Sequence, residues 1–185
     1  MQQNSKRIII GFGYKAQSGK DTAADHLVKN HNFVRLAFAD TLKESCRAVF
    51  NFSDEQLYGN LKQTIDPFWQ KTPREYLQII GDGFRKFIDP LIWIKAIERK
   101  IQSIEGNIAI ADIRYINECN FIHSTGGLVV KINRAHYELQ DKQAAHASET
   151  ELDNFFNWDH TIENNGTKEN LYKKLDEMLA DISSK

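Results

Sequence analysis

The residues of this sequence best suited to chemistry begin with the run 18–22, Ser-Gly-Lys-Asp-Thr, which follows three consecutive isoleucines within 7–11. A short β-branched run predicts a buried strand, and the Ala and Leu residues of 22–28 are typical of a helix. Backbone amides at a helix N-terminus attract an anion, and a lysine beside them adds a full positive charge. The sequence therefore predicts a nucleotide-phosphate site between this strand and this helix.

This loop departs from the usual phosphate-loop spacing, which is Gly, four residues, Gly-Lys and then Ser or Thr. Tyr14 stands at the position of the first glycine, and Gly13 comes one residue earlier. Either the loop is one residue longer, or Tyr14 takes a conformation that normally favours glycine. Asp21 replaces the hydroxyl that usually binds Mg²⁺, so Asp21 would hold the water shell of the ion and Thr22 would reach a phosphate. The alternative is an ordinary strand-to-helix turn with a solvated lysine.

A second candidate group is Asp112 with Arg114, directly after the apolar segment 107–111. We expect Asp112 at the carboxyl end of a strand, on the same edge of the sheet as the phosphate loop. A carboxylate there can hold Mg²⁺ or orient an attacking oxygen, and Arg114 can neutralise charge on a transferring phosphoryl group. The alternative is a capping aspartate and a surface arginine before a helix.

A third candidate group lies on the predicted helix 73–87. Arg74, Gln78, Gly81 and Arg85 follow the spacing i, i+4, i+7, i+11 and share one narrow arc. The arginines suit a phosphate, and Gln78 suits a base or sugar. A mid-helix glycine costs about 1 kcal/mol relative to alanine, so Gly81 indicates a close approach. A solvated helix face is the alternative.

The elements that would position these groups alternate along the chain. Further strands are predicted at 33–37, 128–132 and 161–162, and further helices at 40–50, 90–104 and 168–182. Asp40 or Thr41 is the predicted N-cap of the helix 40–50. Segment 51–72 is predicted to be irregular. This order favours an α/β fold with a parallel sheet, helices on both faces and ligands at the carboxyl ends of the strands.

Composition narrows the class of protein. The 185 residues, 41% of them hydrophobic, can bury one core, so we expect a single domain. A net charge of −1 argues against binding to a nucleic acid polymer, and no apolar run reaches the ~20 residues of a membrane span. Cys46 and Cys119 lack metal-ligand spacing and indicate a reducing compartment. We therefore expect a soluble, cytoplasmic protein with no membrane partner. The oligomeric state stays open, with a homodimer as one candidate.

Taken in order, several segments of the chain resemble the bacteriophage-type deoxynucleoside monophosphate kinases, a branch of the P-loop kinases. The resemblance is carried by segments 18–22, 38–44, 73–81, 85–93, 112–118, 126–130, 146–149 and 164–167. It implies a P-loop NTPase-like three-layer fold and transfer of the ATP γ-phosphoryl group to a deoxynucleoside monophosphate. It also implies Mg²⁺ as cofactor and the host cytoplasm as the location of a phage protein.

The resemblance also implies roles for individual residues. The implied catalytic residues are Lys20, Asp112 and Arg114, with Asp21 and Asp112 as metal ligands. The implied ATP-binding residues are Lys15, Ser18, Gly19, Lys20, Asp21, Thr22 and Arg134. The implied monophosphate-binding residues are Asp40, Lys43, Arg74, Gln78, Gly81, Asp82, Arg85, Trp93 and Glu118.

Within a single domain spanning 1–185, segment 51–104 is the predicted acceptor-binding region. Segment 134–149, with Arg134, is a predicted lid that would exclude water. Two alternatives remain: another small-molecule P-loop kinase, of the dephospho-coenzyme A or phosphomevalonate type, and a nucleotide-binding regulator without transferase activity.

Overall fold

The structure, a computed structural model, describes residues 7–135 and 146–184. These residues form two compact units. The first, called the sheet unit, contains the described residues up to Ala37 and from Ile104 onward. The second, called the helical unit, is Phe38–Ser103. The predicted acceptor region 51–104 covers most of the helical unit, which begins earlier in the chain.

The sheet unit is built on five parallel strands in the order β2-β3-β1-β4-β5. The strands are β1 (Ile9–Gly13), β2 (Val34–Leu36), β3 (Ile108–Ile113), β4 (Leu128–Asn133) and β5 (His160–Glu163). All five residues of β1 are buried, as expected for a central strand covered on both sides. The predicted α/β fold with a parallel sheet is confirmed.

Helices cover both faces of this sheet. In the sheet unit they are α1 (Lys20–His31), α6 (Ile116–Ser124), α7 (Ala147–Thr150) and α8 (Lys168–Ser183). Ile10 and Phe12 of β1 share a buried apolar cluster with α1 and α8. Gly11, between them, faces the opposite side, where a Cβ would lie 2.3 Å from Cδ1 of Ile122 in α6. The alternation of side chains along β1 therefore fixes which helices lie on which face.

The helical unit contains α2 (Ala39–Phe50), α3 (Asp54–Leu57), α4 (Pro73–Phe87) and α5 (Ile92–Gln102), with a 3₁₀ turn at Asn60–Gln63. The bounds of α4 match the prediction, because Thr72 and Glu75 form a capping box and Pro73 occupies the first helical position. The predicted cap of α2 is wrong. The helix begins before Asp40 and Thr41, with Phe38 as N-cap and no side-chain capping bond, so both polar residues lie inside its first turn.

Candidate active site

The loop between β1 and α1 has the usual phosphate-loop length, because Tyr14 takes the place of the first glycine. Its φ is 106°, close to the 107° of Gly19 at the other end of the loop. A tyrosine at positive φ needs support from its surroundings. That support comes from Trp158, which lies edge-on to the Tyr14 ring with centroids 6.5 Å apart. The Nζ of Lys131 lies 4.1 Å from the Tyr14 ring centroid.

The last residues of the loop are held by the turn that follows β5. Asn164 donates its side-chain amide to the carbonyl oxygen of Ser18 at 2.8 Å. A Cβ on Gly19 would lie 2.3 Å from the Nδ2 of Asn164, so only glycine allows this approach. Sequence reasoning gave Asn164 no role, although it lies in a segment that carries the family resemblance.

Lys20, the first residue of α1, is buried at 4% exposure. Its Nζ donates to the carbonyl oxygen of Lys15 and lies 3.4 Å from the Oγ of Ser18. Burial, and next the positive charge of Arg114, lower the pKa of Lys20 to about 7. Nearby carboxylates, including Asp112, act in the opposite direction. A phosphate anion at the loop would add a further negative charge and favour the ammonium form.

Arg114 is tied to the phosphate loop through Glu149 of α7. The Nη1 of Arg114 donates to Glu149 Oε1 at 2.9 Å and to the carbonyl oxygen of Tyr14 at 3.2 Å. The other carboxylate oxygen of Glu149 accepts the backbone N–H of Ala16 at 2.8 Å. Glu149 is 5% exposed, so this carboxylate is a buried bridge between the loop backbone and the guanidinium. Sequence reasoning missed Glu149, although this residue ends the His-Ala-Ser-Glu segment 146–149, which carries part of the family resemblance.

Asp112 lies at the carboxyl end of β3, the strand that pairs with β1 through Gly13 and Ile113. The carboxyl ends of neighbouring parallel strands share one edge of the sheet, so Asp112 and the loop lie on the same edge, as predicted. Its charge raises the pKa of Lys20, which is consistent with this proximity.

Glu118 has a local structural use. Its buried carboxylate accepts the backbone N–H groups of Arg114 at 2.8 Å and Tyr115 at 3.2 Å, at the start of α6. It therefore fixes the backbone from which the Arg114 side chain extends. Contact between Glu118 and a substrate stays a prediction.

The remaining predicted ATP-binding residues fall into two groups. Lys15 pairs with Asp153 at 2.7 Å. It also lines a cavity of about 210 Å³ together with Tyr14, Ala16, Ser18, Asn133 and Arg134, so the structure brings Arg134 to the loop. Asp21 and Thr22, by contrast, extend from α1. Asp21 pairs with Arg35 of β2, and Thr22 is half-buried. Most of the predicted lid, 136–145, lies outside the described residues.

In the helical unit, the predicted arc on α4 is present, with Arg74, Gln78 and Arg85 half-buried. Gly81 is buried, and a Cβ there would lie 3.2 Å from Cδ2 of Leu42. The close approach that Gly81 indicated is thus accounted for by packing of α2 on α4.

The other predicted monophosphate-binding residues also make contacts inside this unit. Trp93 is buried, donates its Nε1–H to the Gly81 carbonyl oxygen at 3.1 Å and stacks on Phe84. The Nη1 of Arg85 lies 3.5 Å from the Oδ1 of Asp82. The Nζ of Lys43 lies 4.2 Å from the ring centroid of Tyr58, and Asp40 is half-buried in the first turn of α2.

None of the helices in residues 7–135 and 146–184 is long and apolar enough to cross a membrane.

Two solved structures share this architecture. A Thermus thermophilus protein matches with a TM-score of 0.54 and 17% identity over 95% of this chain and 97% of its own. The dephospho-CoA kinase of Campylobacter jejuni matches with a TM-score of 0.53 and 14% identity, again over 95% of this chain and 97% of its own. These similarities show an α/β P-loop NTPase-like fold.

No family model matches the chain. A protein of Acanthamoeba polyphaga mimivirus, named as a deoxynucleotide monophosphate kinase, is 33% identical over 186 residues, covering 91% of this chain and 94% of the viral protein. This chain therefore belongs to the deoxynucleotide monophosphate kinase family, and it is a phosphotransferase.

Proposed function

We propose that this kinase transfers the γ-phosphoryl group of ATP to a deoxynucleoside monophosphate, giving the diphosphate and ADP. The observation that carries the proposal is the loop with its buried Lys20, joined to Arg114 through Glu149. Lys20 and Arg114 lie close enough for the charge of Arg114 to add to the effect of burial and lower the pKa of Lys20, beside the loop at the carboxyl edge of the sheet. Family membership supports a monophosphate as the acceptor.

In this proposal the chain positions the reactants and compensates charge. Phosphoryl transfer spreads negative charge over the oxygens of the moving group, and fixed cations stabilise that distribution. Lys20 would contact the β- and γ-phosphates, and Arg114 would stabilise the transferring group. The cavity beside Tyr14 and Arg134 would take part of the ATP molecule, since its volume is smaller than a whole nucleotide site requires.

Mg²⁺ fits the oxygen ligands that this edge of the sheet provides. Asp112 is the half-buried carboxylate whose charge reaches Lys20, and it would hold the ion directly or through water. Asp21 would join only if its carboxylate left Arg35. When bound, Mg²⁺ would neutralise phosphate charge.

The monophosphate is assigned to the helical unit, chiefly to Arg74, Gln78 and Arg85. Two guanidiniums and an amide on one helix arc suit a phosphate and a base, and the family resemblance covers the same segment. The buried positions of Gly81 and Trp93 indicate that these two residues shape the unit from within.

The test is ADP release from ATP with each common deoxyribonucleoside and ribonucleoside monophosphate, and with dephospho-coenzyme A and phosphomevalonate. We expect release with deoxynucleoside monophosphates, and we expect Lys20→Met to slow it by about 10²–10³. Lys173→Met is the matched control, because Lys173 is an exposed lysine of α8. Release with one of the other acceptors alone would identify a different small-molecule kinase. Nucleotide binding without release would identify a regulator.

A further inference from the structure

We propose that His26, His31 and Asp176 form a binding site for a divalent transition-metal ion of the Zn²⁺ class. His26 and His31 lie on the second half of α1, and Asp176 lies on α8. None of the three belongs to the residues assigned above to ATP or the monophosphate, although Thr22, one turn before His26 on α1, lines the same groove.

The geometry of the cluster is close to that of a metal site. The Nε2 atoms of His26 and His31 each lie 2.7 Å from the Oδ1 of Asp176. One ligand atom from each residue falls within 4.8 Å of the others. Zn–N bonds of about 2.0–2.1 Å place tetrahedral ligand atoms about 3.3 Å apart. Small side-chain rotations would therefore open room for an ion between the three atoms.

The buried member of the cluster is held in place before any ion binds. His26 is 7% exposed, and its ring stacks on Tyr172 with centroids 4.2 Å apart. Its other ring nitrogen, Nδ1, lies 3.0 Å from the Nδ2 of Asn30. Ligating histidines usually bind a polar partner through the nitrogen that does not touch the metal. The same Asn30 Nδ2 donates to the carbonyl oxygen of His26 at 3.2 Å, so the amide is held against this edge of the ring.

The other two ligands give an ion access from solvent. The side chains of His31 and Asp176 are 32% and 49% exposed. His26 and Asp176 line a groove of about 830 Å³ between α1 and α8. A water molecule in the groove would complete the coordination.

The donor set selects the class of ion. Two imidazoles and one carboxylate suit Zn²⁺ and other divalent first-row transition-metal ions, whereas Mg²⁺ prefers oxygen ligands. The sheet unit also offers an internal comparison in His123, which lies 2.9 Å from Asp159. That pair has a single imidazole, so it should bind Zn²⁺ weakly.

The experiment is competition for Zn²⁺ between the metal-free full chain and a chromophoric chelator at neutral pH. The wild-type protein should bind one tight equivalent that His31→Ala loses. Asp176→Asn should weaken the same equivalent at least about tenfold. His123→Ala should bind Zn²⁺ like the wild type. His31 and Asp176 are partly exposed, so both variants should fold, which circular dichroism checks.

A second measurement links binding to the fold. Because the ligands come from two helices, Zn²⁺ should raise the melting temperature of the wild type and of His123→Ala, but not of His31→Ala. The proposal is overturned if the wild type shows no saturable binding at micromolar Zn²⁺. It is also overturned if His31→Ala and Asp176→Asn retain wild-type stoichiometry and affinity.

Discussion

The phosphate loop of the sheet unit and the α4 arc of the helical unit both present cationic groups, but different parts of the sequence hold them. The loop is fixed by residues more than 100 positions away, through Glu149 on the Ala16 amide and Asn164 on the Ser18 carbonyl. The arc is fixed by local signals, the Thr72–Glu75 capping box and the helical period of α4. Distant substitutions should therefore disturb the loop, whereas the arc should respond mainly to changes in its own helix.

The largest effect should come from the loop itself. Lys20→Met should lower kcat by about 10²–10³, because it removes a charge aimed at the transferring phosphoryl group. Initial rates of ADP release measure this effect, with Lys173→Met as the control. A folded Lys20→Met protein with near-normal turnover would remove the loop from the mechanism.

Glu149 provides a test of whether the loop depends on residues far away in the sequence. Glu149→Gln keeps an acceptor for the Ala16 amide but leaves the Arg114 guanidinium without its buried partner charge. Because 23% of the Arg114 side chain is exposed, solvent screens part of the uncompensated charge, so denaturant unfolding should show a loss of about 1.5–3 kcal/mol, together with lower kcat. Glu151→Gln is the control, because Glu151 also accepts a backbone amide, that of Ile116, at 2.9 Å. Equal effects of the two variants would contradict the special role of Glu149.

A substitution in the arc on α4 should weaken the binding of the monophosphate and leave the binding of ATP nearly unchanged. Arg85→Ala should raise KM for the monophosphate by about 10- to 100-fold, since a charge-assisted contact contributes roughly 1.5–3 kcal/mol. KM for ATP should stay nearly constant. Arg99→Ala, an exposed arginine on α5, controls for loss of positive charge. If Arg85→Ala weakens ATP and spares the monophosphate, the two units have been assigned the wrong substrates.

A smaller effect concerns stability and pH in the ligand-free protein. The pKa of Lys20 is about 7 in the folded state against 10.5 for an ordinary lysine, so between these values the unfolded chain holds a proton that the folded protein does not. The free energy of unfolding should therefore rise with pH across this window. Lys20→Met should lack this contribution. Denaturant unfolding of both proteins near the two ends of the window measures the difference, and parallel profiles would contradict it.

The smallest expected effect is a difference in how readily the two units open, which the labelling of their buried cysteines measures. Burial raises the pKa of Cys46, in the helical unit, to about 11. Burial is also the main reason that the pKa of Cys119, in the sheet unit, rises to about 12. Both thiols should resist a thiol reagent at neutral pH until their surroundings open. We expect Cys46 to react first, because among the described residues the buried apolar cluster that contains it is small, with Phe52, Leu57 and Leu77 as its other buried members. Mass spectrometry of the labelled chain distinguishes the two sites, and simultaneous labelling would indicate a single opening event.

The sequence was most informative where the signals were local. Apolar runs located the five strands, and Pro73 marked the start of α4. The relation between Asp112 and the loop followed from parallel-sheet geometry alone. Glu149 and Asn164 escaped prediction because each binds a backbone group far along the chain, and such a partner leaves no mark in residue type. Gly81 was correctly seen as a close approach, but its neighbour is Leu42 inside the unit.

Tyr14 has a consequence for the thermodynamics of binding. A glycine at its position would let the ligand-free loop visit many conformations. The tyrosine, held by Trp158 and Lys131, removes most of them when the protein folds. The conformational entropy that a flexible loop would lose on meeting a nucleotide is then already lost during folding. Calorimetry of nucleotide binding should therefore show a smaller entropic penalty for the wild type than for Tyr14→Gly.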